Sequence, residues 1–193
     1  MSAQIHGVLP FDPEKRKQIK FSDEALQTIE KIKQRYPEGK QKSALIPVLH
    51  IAQAENDGWL SPEVMDYVAE LLDITPIEVF EVASFYTMFN LKPVGKCVLE
   101  VCRTSSCWLN GANEIVEYIE KKLGIKEGET TPDGMFTLKT VECLGSCGTA
   151  PMMQCGASYH ENLTFEKIDE IIKKYKSENK RRNYTDLEWY HTK

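Results

Sequence analysis

Four cysteines fall into two closely spaced pairs, and this spacing constrains the fold and chemistry of the chain more than any other feature. Four residues separate Cys102 from Cys107, and three separate Cys143 from Cys147. Each pair follows an apolar stretch with the composition of a β-strand. If these two strands lie side by side, both loops emerge at the same end of the sheet. The spacing therefore allows one site that is shared by four thiolates.

The donor set favours a metal centre. Four thiolates suit a tetrahedral zinc ion or an iron–sulfur cluster, since both prefer soft sulfur ligands. No two cysteines are separated by only two residues, so the spacing typical of zinc ribbons and thiol oxidoreductases is missing. The longer loops favour a two-iron cluster in which each pair reaches its own iron. Zinc and a structural or disulfide role stay open at this point.

The cysteine loops are also rich in small residues. Such residues let backbone N–H groups approach the sulfurs, and these hydrogen bonds stabilise negative charge and tune a reduction potential. The small residues are Thr104, Ser105 and Ser106 in the first loop and Gly145, Ser146 and Gly148 in the second loop and just after it.

The remaining cysteines and His50 are expected to be structural, and the histidines are not expected to bind metal. Cys97 lies five residues before Cys102 on the same predicted strand, so the two side chains point to opposite faces and Cys97 packs in the core. Cys155 lies within another predicted strand and is likewise expected to pack. A Rieske-type site would need two histidines, but four cysteines already complete a ligand set. The histidines are His6, His50, His160 and His191.

Composition and motifs exclude several functions. The chain has 193 residues, enough for one domain or two small ones, and its net charge of −5 argues against a nucleic-acid partner. No apolar run approaches the roughly 18 residues of a membrane span, and no segment resembles a signal peptide. We therefore expect a cytoplasmic protein with no direct membrane insertion. Neither glycine-rich nucleotide fingerprint is present, so we expect no complete catalytic site on this chain.

Residues 21–92 have a helical pattern. Hydroxyl side chains at Ser22, Ser61 and Thr75 are placed to cap three helices, and proline follows at the first helical position in the last two cases. A further helix is expected from about Ser43. The apolar residues recur at helical spacing throughout, so we predict a compact bundle of four helices.

From about residue 93 the pattern changes to short strands and helices. Its periodicity predicts a strand, a helix, a second strand, a hairpin and a final helix, which suits a small α/β sandwich. We therefore predict an α+β chain with an N-terminal extension, a helical bundle, a cysteine-bearing domain and a C-terminal tail. Their limits are residues 1–20, 21–92, 93–176 and 177–193. The tail is basic, as a solvated helix end would be.

The cysteine loops resemble those of a known family. They read Cys102-Arg103-Thr104-Ser105-Ser106-Cys107 and Cys143-Leu144-Gly145-Ser146-Cys147, followed by Ala150-Pro151. The aromatic segment at residues 83–89 and the loop at residues 131–134 resemble the same family. Over roughly residues 22–176, the chain is similar to the thioredoxin-like [2Fe-2S] subunits of respiratory complex I, an NADH:quinone oxidoreductase. These subunits are the small partners of its NADH-oxidising flavoprotein.

The resemblance implies an electron-transfer subunit in which a helical bundle precedes a thioredoxin-like [2Fe-2S] ferredoxin domain. One iron would be held by Cys102 and Cys107 and the other by Cys143 and Cys147. FMN and NADH would bind to the partner flavoprotein, and the larger iron–sulfur subunits of complex I would be further partners. The complex would place the chain peripheral to the inner membrane.

Two alternatives to this function stay open. The same module occurs in the diaphorase parts of NAD-linked hydrogenases and formate dehydrogenases, so the parent complex is not fixed by the motif. A zinc-binding structural module without a redox role is the second alternative, and it would need zinc to fold.

Overall fold

The structure is a computed structural model that describes residues 10–186 and Tyr190. By packing, these residues form two compact units, one up to Pro93 together with Tyr190 and the other from Val94 to Asp186. The first unit is helical, and the second combines helices with a four-stranded sheet. The predicted α+β class is therefore confirmed, whereas the functional limits of the four segments stay a prediction.

The first unit contains five α-helices and a 3-10 turn at Gln41–Ala44. The helices are α1 Pro13–Gln18, α2 Asp23–Lys33, α3 Leu45–Glu55, α4 Pro62–Leu72 and α5 Pro76–Phe85. Two of the three predicted caps are present: the Ser22 hydroxyl accepts the Ala25 N–H (3.2 Å), and the Ser61 hydroxyl accepts the Val64 N–H (3.3 Å). At Thr75 the backbone N–H (2.9 Å) and the hydroxyl (2.8 Å) both donate to the Glu78 carboxylate. Helix α1 was not predicted because it buries no residue and so has no apolar periodicity.

The core of the first unit is built from apolar side chains on α2, α3 and α4 and the loop before α4. The fully buried members include Ile29, Ile32, Val48, Leu49, Leu60, Val64 and Val68. His50 on α3 is also buried, with its ring 4.9 Å from that of Phe89 and 6.1 Å from that of Tyr190. Burial lowers the pKa of His50 from 6.5 to about 4, because the apolar surroundings disfavour the charged ring.

This shift predicts that the first unit loses stability in mild acid. The folded pKa lies below the unfolded value, so the contribution of His50 is complete above pH 6.5 and is lost as the pH falls towards 4. The loss amounts to about 3 kcal/mol of unfolding free energy. NMR titration of the His50 ring should give a pKa below 5, and a His50→Leu variant should show a smaller loss of stability between pH 7 and 4. A titration midpoint near 6.5 would contradict this prediction.

The second unit contains four strands, three helices and two 3-10 turns. In chain order the strands and helices are β1 Cys97–Cys102, α6 Ser105–Leu109, α7 Ala112–Leu123, β2 Phe136–Val141, β3 Met153–Cys155, β4 Ser158–His160 and α8 Phe165–Glu178. The strand order is β2-β1-β3-β4, with β1 parallel to β2 and the other two pairings antiparallel. Helices α7 and α8 contribute to one core with alternate residues of the strands. Its fully buried members include Leu99, Val101, Ile119, Leu138, Met153 and Ile168.

Three short elements of this unit were not predicted, namely α6 and the 3-10 turns at Cys147–Thr149 and Tyr184–Asp186. Each is too short to show a periodic apolar pattern. Among the described residues of the whole chain, every helix is too short or too polar to cross a bilayer.

The C-terminal strap, which we define as Lys180–Asp186, packs on the second unit after α8 ends. It crosses the β3–β4 turn at Gly156, where a Cβ atom would lie 2.8 Å from the carbonyl carbon of Arg182. Its hydrogen bonds include those from the Arg182 N–H to the Lys96 carbonyl (2.9 Å), from the Ala157 N–H to the Asn183 carbonyl (3.1 Å) and from the Tyr184 hydroxyl to Glu100. This part of the predicted tail is therefore a packed element of the unit.

Replacing Gly156 by alanine is expected to release the strap. Gly156 and Gly134 both have a positive φ, +56° and +67°, so alanine at either position costs about 1–2 kcal/mol of backbone strain. Only at Gly156 would the new methyl group also collide with the strap, since a Cβ atom added at Gly134 would meet no atom within 4 Å apart from its own chain neighbours. Amide hydrogen exchange at Arg182 should accelerate in Gly156→Ala and stay unchanged in the control Gly134→Ala. Equal exchange in both variants would show that the strap does not depend on this contact.

Candidate metal centre

The parallel pairing of β1 and β2 brings the two cysteine loops to the same end of the sheet. Cys102, the last residue of β1, is in register with Val141, the last residue of β2. Cys143 follows two residues later, and Cys107 lies on α6 just beyond β1. The side-by-side arrangement that the sequence analysis required is thus confirmed.

The four thiols are grouped as two pairs. The sulfurs of Cys143 and Cys147 are 3.5 Å apart, close to the roughly 3.8 Å that a tetrahedral ion with 2.3 Å metal–sulfur bonds imposes on two of its ligands. The thiols of Cys102 and Cys107 also interact with each other. In the part of the chain that the structure describes, no three His, Cys, Asp or Glu side chains form a site for a single metal ion. The pairs fit a centre with two metal ions.

The two pairs differ in burial. Cys102 and Cys107 are buried with Met152 and Ala112 in a small apolar cluster, whereas Cys143 is exposed, as is Cys147. One half of the site is therefore dry, and the other half reaches the protein surface.

Backbone geometry supplies hydrogen bonds to the exposed pair. Gly145 has a φ of +84°, which glycine adopts without strain, and its N–H points at the Cys143 sulfur at 3.4 Å. This N–H, the Cys147 thiol and the Thr104 hydroxyl together lower the pKa of Cys143. The neighbouring Cys143 thiol in turn raises the pKa of Cys147.

In the buried pair, too, one thiol has a lowered pKa and the other has a raised pKa. Burial alone would raise the pKa of Cys102, but hydrogen bonds from the Thr104 hydroxyl and from the N–H groups of Thr104 and Leu144 lower it overall. Burial, together with the Cys102 thiol, raises the pKa of Cys107 to about 11. Each pair thus contains one thiol with a lowered pKa and one with a raised pKa.

Two side chains that the sequence analysis did not single out hold the second cysteine loop. The Tyr159 hydroxyl donates to the Leu144 carbonyl (2.7 Å), and Glu161 accepts hydrogen bonds from Ser146 and from Thr149 (2.7 Å). Both lie on or just after β4, which pairs with β3 and not with β1 or β2, the strands that precede the two cysteine loops. No local motif marks them, because only the strand order brings β4 to this loop.

The cysteines expected to be structural belong to a different buried cluster from Cys102 and Cys107. Cys97 and Cys155 are fully buried in the core beneath α7 and α8. His50 lies in the helical unit, and His160 contacts the Tyr175 hydroxyl (2.7 Å). The other histidines considered, His6 and His191, lie outside the described residues.

In the metal-free protein, the difference in pKa and exposure should appear as a difference in alkylation rate. The pKa of Cys107 is about 11 and its thiol is buried, whereas the pKa of the exposed Cys143 lies below its usual value. Because only the thiolate reacts, iodoacetamide at pH 7 should modify Cys143 at least about tenfold faster than Cys107. Peptide mass spectrometry over time measures both rates. Equal rates would contradict the geometry described above.

Comparison with known proteins identifies a family whose sequence model matches residues 29–176, described as thioredoxin-like [2Fe-2S] ferredoxin. The matched range includes all four cysteines of the site, and it ends before the strap. The family description names the kind of cluster that two pairs of thiolates fit.

Two curated relatives show how far the similarity extends. An NADH-quinone oxidoreductase subunit of Rickettsia felis is 45% identical over 158 residues, which cover 82% of this chain and 95% of the relative. The mitochondrial NADH dehydrogenase [ubiquinone] flavoprotein 2 of Dictyostelium discoideum is 45% identical over 157 residues, which cover 81% of this chain and 64% of the relative.

A solved structure with a similar fold is the NAD+-reducing [NiFe]-hydrogenase in its H2-reduced state. It aligns with a TM-score of 0.60 at 20% sequence identity, over 69% of this chain and 22% of the hydrogenase chain. At this identity the likeness concerns the fold alone.

Proposed function

The chain belongs to the thioredoxin-like [2Fe-2S] ferredoxin family, and on that premise we propose that it is the electron-carrying subunit of an NADH:quinone oxidoreductase, the respiratory complex I. Its cofactor is one [2Fe-2S] cluster. The relatives at about 45% identity are subunits of that enzyme, and they match this chain over most of its length.

We propose that Cys102 and Cys107 hold one iron and that Cys143 and Cys147 hold the other. The observation that supports this assignment is the grouping of the thiols into two pairs at the ends of adjacent parallel strands. Thiolate ligands suit iron–sulfur clusters, and each pair carries one thiol with a lowered pKa. When bound, the cluster accepts and releases one electron.

The burial of the ligands suggests how electrons enter and leave. Cys143 and Cys147 are exposed, so their half of the site is the half that a partner protein can approach. The other two cysteines lie in an apolar environment that excludes water. We therefore propose that electrons cross between this chain and its partner on the Cys143–Cys147 side.

The finer details of the assembly belong to the same proposal. The chain carries no glycine-rich nucleotide fingerprint, so FMN and NADH bind to a partner flavoprotein subunit, and the larger iron–sulfur subunits of the complex are further partners. Such a complex places the chain on the cytoplasmic side, peripheral to the inner membrane. The fold shared with a hydrogenase at 20% identity does not favour the alternative parent enzymes.

Metal analysis of the anaerobically purified chain tests the cofactor and its ligands together. The wild-type protein should contain about two irons and about two acid-labile sulfides, give no EPR signal when oxidised and give a one-electron signal after reduction by dithionite. Cys143→Ala should lower the iron content at least about tenfold, since a ligand contributes at least as much as the groups around it. The control Cys155→Ala removes a buried thiol that lies outside the site and should retain the cluster.

Three results would contradict the proposal. One zinc per chain with no sulfide would establish the structural alternative. Loss of the cluster from Cys155→Ala but not from Cys143→Ala would overturn the ligand assignment. Failure of the cluster-loaded chain to form a complex with an NADH-oxidising flavoprotein, measured by gel filtration after co-expression, would overturn the subunit role.

A further inference from the structure

Thr104 immediately precedes helix α6, but its side chain does not cap the helix. It is the N-cap residue of α6, yet in the described structure no backbone N–H of that helix donates to its hydroxyl. Thr164, at the equivalent position of α8, does cap its helix, since its hydroxyl accepts the Lys167 N–H (3.3 Å). The Thr104 hydroxyl instead lies 3.4 Å from the Cys102 sulfur.

The direction of this hydrogen bond follows from the chemistry of the site. A cysteine that binds metal is a thiolate and carries no proton. In the loaded protein the hydroxyl of Thr104 must therefore be the donor and the Cys102 sulfur the acceptor. The contact places a hydrogen-bond donor on a sulfur whose residue is only 2% exposed, where water cannot replace it.

The same hydroxyl also affects the pKa of Cys143 in the second cysteine loop. It is among the groups that stabilise the Cys143 thiolate, after the Gly145 N–H and the Cys147 thiol. Thr104 thus contacts the Cys102 sulfur and also contributes to the lowered pKa of Cys143 on the other loop. Ser106 on the same loop lowers the pKa of Cys147, in opposition to the neighbouring Cys143 thiol.

We propose that Thr104 is a positioning residue that raises the reduction potential of the cluster by donating its hydroxyl to the Cys102 sulfur. This inference rests on the ligand assignment made under the proposed function. A donor on a thiolate stabilises negative charge, and reduction adds one negative charge to the cluster. The hydroxyl therefore favours the reduced state over the oxidised state.

The structure allows the hydroxyl to be removed without disturbing the helix. The backbone hydrogen bond from the Trp108 N–H to the Thr104 carbonyl (2.9 Å) does not involve the side chain, and no capping bond is lost. Valine has nearly the shape of threonine, so Thr104→Val removes the donor and leaves the packing in place. Thr104→Ser keeps a hydroxyl and tests for rescue.

The experiment is a redox titration of the cluster-loaded chain monitored by EPR. In Thr104→Val we expect the ratio of reduced to oxidised cluster at a fixed potential to fall by up to about tenfold, which is a shift of about 59 mV towards negative potential for one electron. Iron and sulfide contents should match those of the wild type, and Thr104→Ser should return the potential to the wild-type value.

A matched control separates tuning from stability. Thr164→Val makes the same substitution at the cap of α8, so it should lower the melting temperature and leave the potential unchanged. Thr104→Val should lower the reduction potential and leave the melting temperature unchanged. An unchanged potential in Thr104→Val with a full complement of iron would overturn the inference.

Two further outcomes are distinguishable from that result. If Thr104→Val and Thr104→Ala both lose the cluster while Thr104→Ser keeps it, the hydroxyl is needed for assembly, and the tuning role is overturned. If the wild-type chain itself contains no iron–sulfur cluster, the proposed function fails, whatever the variants show.

Discussion

The parallel pairing of β1 with β2 is the constraint on which the site depends. Because the strands run in the same direction with Cys102 opposite Val141, both chain segments leave the sheet at one edge and carry their cysteines to the same place. A shift of one residue in this register would turn Cys102 to the other face of the sheet. The register between β1 and β2 is fixed by the alternation of apolar residues such as Leu99 and Leu138, which pack against α7 and α8 in the core. The packing that stabilises the core therefore also fixes the geometry of the site.

The two halves of the site balance opposite requirements. Thiolates in an apolar environment are costly unless hydrogen bonds or metal ions stabilise their charge. The buried half meets this cost with the Thr104 hydroxyl and with backbone N–H groups, among them that of Leu144 from the other loop. The exposed half needs less compensation, and there the left-handed conformation of Gly145 aims one N–H at Cys143. Since each half takes donors from both loops, neither pair is positioned independently of the other.

The sequence predicted the elements that carry a periodic pattern and missed those that do not. The caps at Ser22 and Ser61 and the strands before each cysteine pair follow from local rules and were found. Helices α1 and α6 are too short to show a period, and the strap is defined by contacts with Lys96 and Ala157, far away in the chain. The four cysteines could be singled out by spacing, and Thr104 and Gly145 by their small size, but the side-chain contacts of Tyr159 and Thr104 could not be predicted. Tyr159 reaches the site through strand order, and Thr104 is indistinguishable in sequence from an ordinary helix cap.

Helix α5 shows the limit of pattern analysis most clearly. Its apolar residues surround the helix, so periodicity does not tell which of them face the core, and the structure buries Val79 and Ala83 but leaves Phe85 77% exposed. The second unit has a comparable feature beside the metal centre, where Trp108 and Leu109 are exposed on the same short helix as Cys107. Large apolar side chains in water cost free energy that a partner surface recovers on association. Both units thus expose large apolar side chains, and no single-chain pattern would separate such residues from core residues.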